Sequence, residues 1–164
     1  MGEVVSVSRE ISASADDLWA MVADVTRMGE WSPENEGGEW LEPATEAAPG
    51  AKFRGRNRLG KKSWKTVATV LAADPGRVFS FHISAGPVKV ADWTYTFEPT
   101  GSGAGSEAGC RGTETWTDRR PGWFKPIGHL ATGVGDRAAH NRAGMEQTLA
   151  GLAAAAETQK NPSG

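Results

Sequence analysis

At the start of the chain, apolar and polar positions alternate. Val5, Val7, Arg9 and Ile11 fall on one side of an extended segment and Val4, Ser6, Ser8 and Glu10 on the other. A period of two is that of a strand, here Glu3–Ile11, with Arg9 the awkward member of its face. The period changes at Ser12–Asp17. Ser14 is placed to cap a helix, and Leu18, Trp19, Met21, Val22 and Val25 recur at helical spacing. This predicts a helix over about Ala15–Ala23. The stretch Asp24–Glu34 reads as a short helical or turn-rich connection, stopped by Pro33.

A train of strands follows: Gly38–Leu41, Lys52–Leu59, Ser63–Ala72, Val78–Ile83, Lys89–Glu98 and Arg111–Asp118. Turn chemistry separates them at Pro49-Gly50, Gly60-Lys61-Lys62, Asp74-Pro75-Gly76 and Gly86-Pro87, and a Gly/Ser/Ala-rich tract at Thr100–Gly109 reads as a long flexible loop. After Pro121 the period becomes helical again. Ile127, Leu130, Val134, Ala138, Asn141, Met145, Leu149, Leu152 and Ala156 form one broad stripe, weakened in its first half by Gly128, Gly133 and Gly135 and firmest over Asp136–Glu157.

Alternation also assigns faces. Phe53, Gly55 and Asn57 share one side, as do Trp64, Thr66, Ala68 and Val70, then Phe79, Phe81 and Ile83, then Trp93, Tyr95 and Phe97. The opposite face is rich in threonine and charge. A sheet with one wet face needs one apolar partner, and the C-terminal stripe is the only element long enough to supply it. The pattern therefore predicts an α+β fold, a curved antiparallel sheet wrapped around a long C-terminal helix. Residues 1–158 are expected to form a single domain and residues 159–164 a disordered tail.

Composition changes this picture little. The chain has 164 residues, 18 Lys plus Arg and 20 Asp plus Glu, for a formal charge of −2, so there is no global electrostatic reason to bind nucleic acid or an anionic membrane. A local basic run, Arg54, Arg56, Arg58, Lys61, Lys62 and Lys65, reads as a solvated strand face and hairpin tip. Cys110 stands alone, which rules out an intrachain disulfide and a cysteine metal site. No stretch approaches the roughly 20 apolar residues of a membrane span, so membrane insertion is not expected and the cytoplasm is the expected location. A monomer or homodimer is expected.

Candidate chemistry centres on the last strand. With Thr113, Thr115 and Thr117 on the wet face, Gly112, Glu114 and Trp116 fall on the apolar one. An inward carboxylate must find donors or lose its charge. Arg137 and Asn141, four apart on one helix face with His140 beside them, make that side a candidate source of donors for Glu114, His140 itself reading as an edge or surface histidine rather than a catalytic base. Asn57 is either a satisfied core amide or a polar hook for a ligand. His129 is expected at a pocket mouth, and Gly128, Gly133 and Gly135 are expected to leave room for a ligand. No His/Asp/Glu set has metal-ligand spacing, and no nucleophile elbow, P-loop or dinucleotide fingerprint occurs; no metal and no cofactor are expected.

The order of elements resembles the helix-grip fold of the START-like (SRPBCC) superfamily, and within it the polyketide cyclase/dehydrase-like branch. The resemblance runs from Val4 to about Glu157. It is carried by Ile11–Trp19, Asp24–Pro33, Phe53-Arg-Gly-Arg-Asn57, Ala73-Asp-Pro-Gly76, the alternation of Trp93, Tyr95 and Phe97, and Thr113-Glu-Thr-Trp116. Arg137, Asn141, Gly144, Met145, Thr148, Leu149 and Leu152 complete it. It implies a cavity between sheet and last helix for a lipid, polyketide or other apolar molecule. Candidate lining residues are Trp31, Phe53, Asn57, Trp64, Phe81, Trp93, Tyr95, Trp116, His129, Arg137 and Asn141. Three readings follow: a binder of a small hydrophobic ligand; a cyclase/dehydrase with Glu114 as acid or base, aided by Arg137 or His140; and a protein-interaction module using the basic strand.

Overall fold

Seven strands make one sheet in the order β1-β7-β6-β5-β4-β3-β2, every neighbour antiparallel, in a computed structural model that describes residues 2–100 and 109–160. β1 (Val4–Ile11) is followed by α1 (Ala15–Ala23) and a 3-10 helix (Val25–Glu30). Then come β2 (Asn35–Leu41), β3 (Lys52–Leu59), β4 (Lys62–Asp74), β5 (Val78–Ala85), β6 (Val88–Thr100) and β7 (Gly109–Asp118). A 3-10 turn (Gly122–Phe124), α2 (Lys125–Thr132) and α3 (Arg137–Lys160) complete the chain. Most of the Gly/Ser/Ala tract, at 101–108, and residues 161–164 lie outside the described residues. α3 itself runs to Lys160, into the segment expected to be a tail.

Local chemistry explains the entry to the first helices. Ser14 Oγ accepts from the Asp17 backbone N–H at 3.1 Å, and Asp24 Oδ1 accepts from Thr26 N at 3.2 Å, each satisfying a donor that the first turn leaves open. The sheet bends at three register shifts, between Asn35 and Gly37, Val70 and Ala72, and Ile83 and Ser84. An extra residue on one strand increases local twist, and here it helps to curl the sheet around α3.

Phe53, Ala68, Val70, Phe79, Phe81, Tyr95 and Phe97 are buried in one cluster with Leu149, Leu152, Ala153 and Ala156 of α3. Trp40, Phe53, Phe81 and Phe79 form a chain of rings with centroids 5.5, 5.1 and 5.5 Å apart. Met145 packs in a second cluster with Val5, Ala91 and Trp116. The opposite sheet face carries paired hydroxyls, Ser6–Thr115 at 2.9 Å and Ser8–Thr113 at 2.8 Å. This is the sheet covered by a C-terminal helix that the alternation implied, and the helix-grip fold that the resemblance implied.

The C-terminal stripe needs correction. It is broken between two helices: Gly133, at φ 78°, ends α2 with its N–H donating to the His129 carbonyl at 2.7 Å, and Asp136 Oδ1 then caps α3 through Ala139 N at 3.0 Å. Asn141, Met145, Leu149, Leu152 and Ala156 are buried as expected. Ile127 and Leu130 are not. They are 50% and 75% exposed, because α2 turns them outward before α3 begins. Of the three glycines expected to make room, Gly133 ends a helix and Gly135 lies against His129; only Gly128 lines a cavity.

Candidate functional site

The aromatic face of the sheet, α2 and the start of α3 line two adjoining chambers, each partly open to solvent. One, of about 100 Å³, holds Glu114, with Phe53, Phe81, Tyr95, Met145 and Thr148 around it. The other, of about 270 Å³, is walled by Trp64, Trp93, Trp116 and Phe124 and floored by Gly128, Ala131 and Thr132 of α2. Glu34, Asn57, Thr66, Ile83, Trp93 and Asn141 line both, so the two spaces share a wall.

Glu114 sits mid-strand on β7, opposite Val7 of β1 and Tyr95 of β6, and is 2% exposed. Tyr95 Oη donates to its Oε1 at 3.0 Å, while Oε2 is buried without a partner among the described residues. Burial pushes its pKa up from 4.5 to about 8, against the smaller opposing effect of the Tyr95 hydrogen bond. The Tyr95 phenol is held well above its ordinary value, by burial first and by the adjacent carboxyl second. Near neutral pH, Glu114 is therefore chiefly a neutral acid with a proton to donate into an apolar space.

Arg137 is not its donor. Arg137 Nη1 donates to both carboxylate oxygens of Glu34, at 3.0 and 3.2 Å, and the guanidinium Cζ lies 5.9 Å from the Trp64 ring centroid. His140 Nε2 lies 3.1 Å from the same Glu34 Oε1. The three residues tie the segment before β2 to the first turns of α3 at the edge of both chambers. Arg137 is thus taken by a carboxylate just after Pro33 and is not the donor for Glu114, while His140 sits partly exposed at the edge beside the same carboxylate.

Asn57 lies in a polar wall. Asn35 Nδ2 donates to Asn57 Oδ1, and Asn57 Nδ2 to Thr66 Oγ1, both at 3.4 Å, long for such bonds. Phe53, Phe81, Trp93, Tyr95, Trp64, Trp116, Arg137 and Asn141 also line one or both chambers. Trp31 and His129 do not. Trp31 is a core wedge packed so closely on Gly151 that a Cβ there would meet its Cβ at 3.0 Å, and His129 is exposed on α2.

Two features went unread in the sequence. Glu34 carried no periodic signal, since it lies in a connection. Asp118 did carry one, by parity with Glu114 and Trp116, and it is buried with Arg120 Nε and Nη2 each donating at 2.9 Å. On the outer face His82 Nδ1 bonds Asp92, which also accepts from Arg119 at 2.8 Å. The basic strand is partly neutralised there, Arg54 pairing with Glu39 at 3.1 Å and Arg58 with Glu36 at 2.8 Å.

Comparison with known proteins agrees with this architecture. The solution structure of the polyketide-cyclase-like protein Cgl2372 from Corynebacterium glutamicum is 27% identical, over 99% of this chain and 96% of that one, with a TM-score of 0.60. Major latex-like protein 151 from Panax ginseng is 8% identical over 94% and 97% of the two chains, with a TM-score of 0.70. The di-domain ARO/CYC StfQ of the steffimycin biosynthetic pathway is 16% identical over 95% of this chain and 51% of that one, with a TM-score of 0.65. At their identities the latter two speak to the fold alone. No curated protein matches the sequence. The family model for polyketide cyclase/dehydrase and lipid transport proteins spans residues 3–157, and the chain belongs to that family within the START-like superfamily.

Proposed function

We propose that the protein binds a small, largely apolar molecule carrying a carbonyl or hydroxyl oxygen, seated across the two chambers with that oxygen against Glu114. The observation that carries this reading is the buried carboxyl itself. A group 2% exposed, with one oxygen unpartnered and its proton retained up to about pH 8, is costly to leave unsatisfied in an apolar wall. A ligand oxygen would accept from it. The three tryptophans of the larger chamber offer flat apolar surface for the remainder of the molecule.

The test compares acetonaphthone, which has an acceptor oxygen, with naphthalene, which has none, by quenching of tryptophan emission. At pH 6 the ketone is expected to bind more tightly by about fivefold, the worth of one hydrogen bond. Glu114→Ala should remove that preference. Equal binding of the two probes to the folded wild-type protein, or no binding of either, would discard the reading.

A second reading, a cyclase or dehydrase, is favoured by the same titration. An acid whose pKa lies near working pH suits proton transfer, and StfQ and BexL, of this fold, are both described as ARO/CYC proteins. Glu114 would protonate a carbonyl oxygen as an enol carbon attacks the carbonyl carbon, the proton released by the enol O–H restoring the acid, or would protonate a hydroxyl as it leaves as water. Turnover of a poly-β-keto thioester mimic should then fall as pH rises past about 8, with Glu114→Gln lowering the rate about a hundredfold while ligand affinity is kept.

A further inference from the structure

The 3-10 turn at Gly122–Phe124 and α2 together present two faces of different kinds. Phe124, Gly128 and Ala131 line the tryptophan chamber, whereas Trp123, Ile127 and Leu130, one position earlier each, point away from it and are 63%, 50% and 75% exposed. Single exposed apolar side chains are ordinary; three large ones on one side of a short helical segment form a patch that needs a partner.

The surrounding charge says which kind. From Arg119 to Gly135 the chain holds no Asp or Glu, although the whole protein carries −2. Lys125 stands at one end of the helix, half-exposed and 3.7 Å from Asp118. The β3–β4 turn brings Lys61 and Lys62 to the other end, where Lys62 Nζ donates to the Leu130 carbonyl at 2.5 Å. An apolar ridge bracketed by lysines complements a surface that is apolar beneath and anionic above.

We propose that the outer face of α2 docks on an anionic lipid surface, with Trp123, Ile127 and Leu130 entering the headgroup boundary and Lys61, Lys62 and Lys125 meeting lipid phosphates and carboxylates. Tryptophan favours that boundary because its ring is apolar and its N–H wants a polar partner. Lysine keeps its ammonium among headgroups while its stem lies on apolar surface. The helix lies on the membrane and does not cross it; no helix among the described residues is long and apolar enough to span. A second copy fits less well, since a two-fold contact through this patch brings the same lysines together. Docking here sets the tryptophan chamber one helix away from the bilayer, whatever that chamber holds.

The test is co-sedimentation of the full chain with vesicles of phosphatidylcholine plus phosphatidylserine, and of phosphatidylcholine alone. The protein should pellet with the anionic vesicles only, and less so as salt rises. Trp123→Ser/Ile127→Ser/Leu130→Ser should weaken binding by more than about tenfold, and Lys61→Glu/Lys62→Glu by at least about fivefold per lysine. All three apolar positions are exposed, so circular dichroism should show the fold intact; if it does not, the lysine variant and the salt dependence decide. Failure of the wild type to pellet with anionic vesicles, or full binding by a folded apolar triple variant, overturns the proposal. So does a wild-type dimer in light scattering that the triple variant converts to monomer, which would assign the patch to a second copy.

Discussion

Glu114 and Asp118 lie four residues apart on the same face of β7, and each is 2% exposed, yet they meet burial in opposite ways. Asp118 ends the strand. The chain turns back there, and Arg120 brings a backbone N–H at 3.0 Å and a guanidinium that bridges both oxygens, with Lys125 Nζ 3.7 Å away. Burial alone would raise its pKa, but the Arg120 hydrogen bonds and the two cations outweigh that and hold it below its ordinary 3.8. Glu114 is in mid-strand, where neighbouring backbone amides are committed to the ladders with β1 and β6. Only a side chain can reach it, and the one that does is a phenol. Its charge is therefore given up. One carboxyl became a structural ion pair and the other a proton store facing a cavity.

The sharpest way to break this contrast is through pH. A carboxyl whose folded pKa lies above its unfolded value binds its proton more tightly when folded, so its contribution is full below about 4.5 and is lost as pH rises to about 8. Urea unfolding of wild type against Glu114→Gln should isolate a loss on the order of 4 kcal/mol across that window, absent in the glutamine variant. Identical pH profiles would show that Glu114 is ionised after all. Asp118 should behave in reverse, its stabilisation present above its ordinary pKa and fading as pH falls through the depressed one.

Next in size is Arg120→Met, which strands a buried carboxylate and should cost about 3 kcal/mol, the lower part of the range because Lys125 remains close. A cost below about 1 kcal/mol would mean that Asp118 finds water or a proton instead. Tyr95→Phe removes the single hydrogen bond to Glu114 and should destabilise by about 1 kcal/mol at pH 6. It should also move the titration midpoint of Glu114 upward from about 8, since the lost bond was the lowering influence. The smallest expected effect is a coupling. With Arg137 held by Glu34, a double-mutant cycle between Glu114→Gln and Arg137→Met should close to within about 0.5 kcal/mol. A larger value would restore the ion pair that the sequence suggested.

Whatever depends on neighbours along the chain was legible in the sequence. The two-residue period located every strand, Lys52–Leu59 to the residue, and the Ser14 cap with its apolar spacing located α1 over Ala15–Ala23. Parity alone put Glu114 on the face with Trp116, because a strand cannot turn one side chain over without turning its neighbours. The tertiary structure decided the rest. Periodicity is blind to a break that keeps phase, so the stripe through Ile127, Leu130 and Val134 read as continuous although Gly133 and Asp136 end one helix and begin another. Nor does any local pattern say which cation reaches which carboxylate. Arg137 shares a helix face with Asn141 and was a natural donor for Glu114, but Glu34, more than a hundred residues earlier, is brought to it by the packing of the segment before β2 on α3. Ion pairing depends on distance in space, and that distance is set by how the sheet curls around its helix.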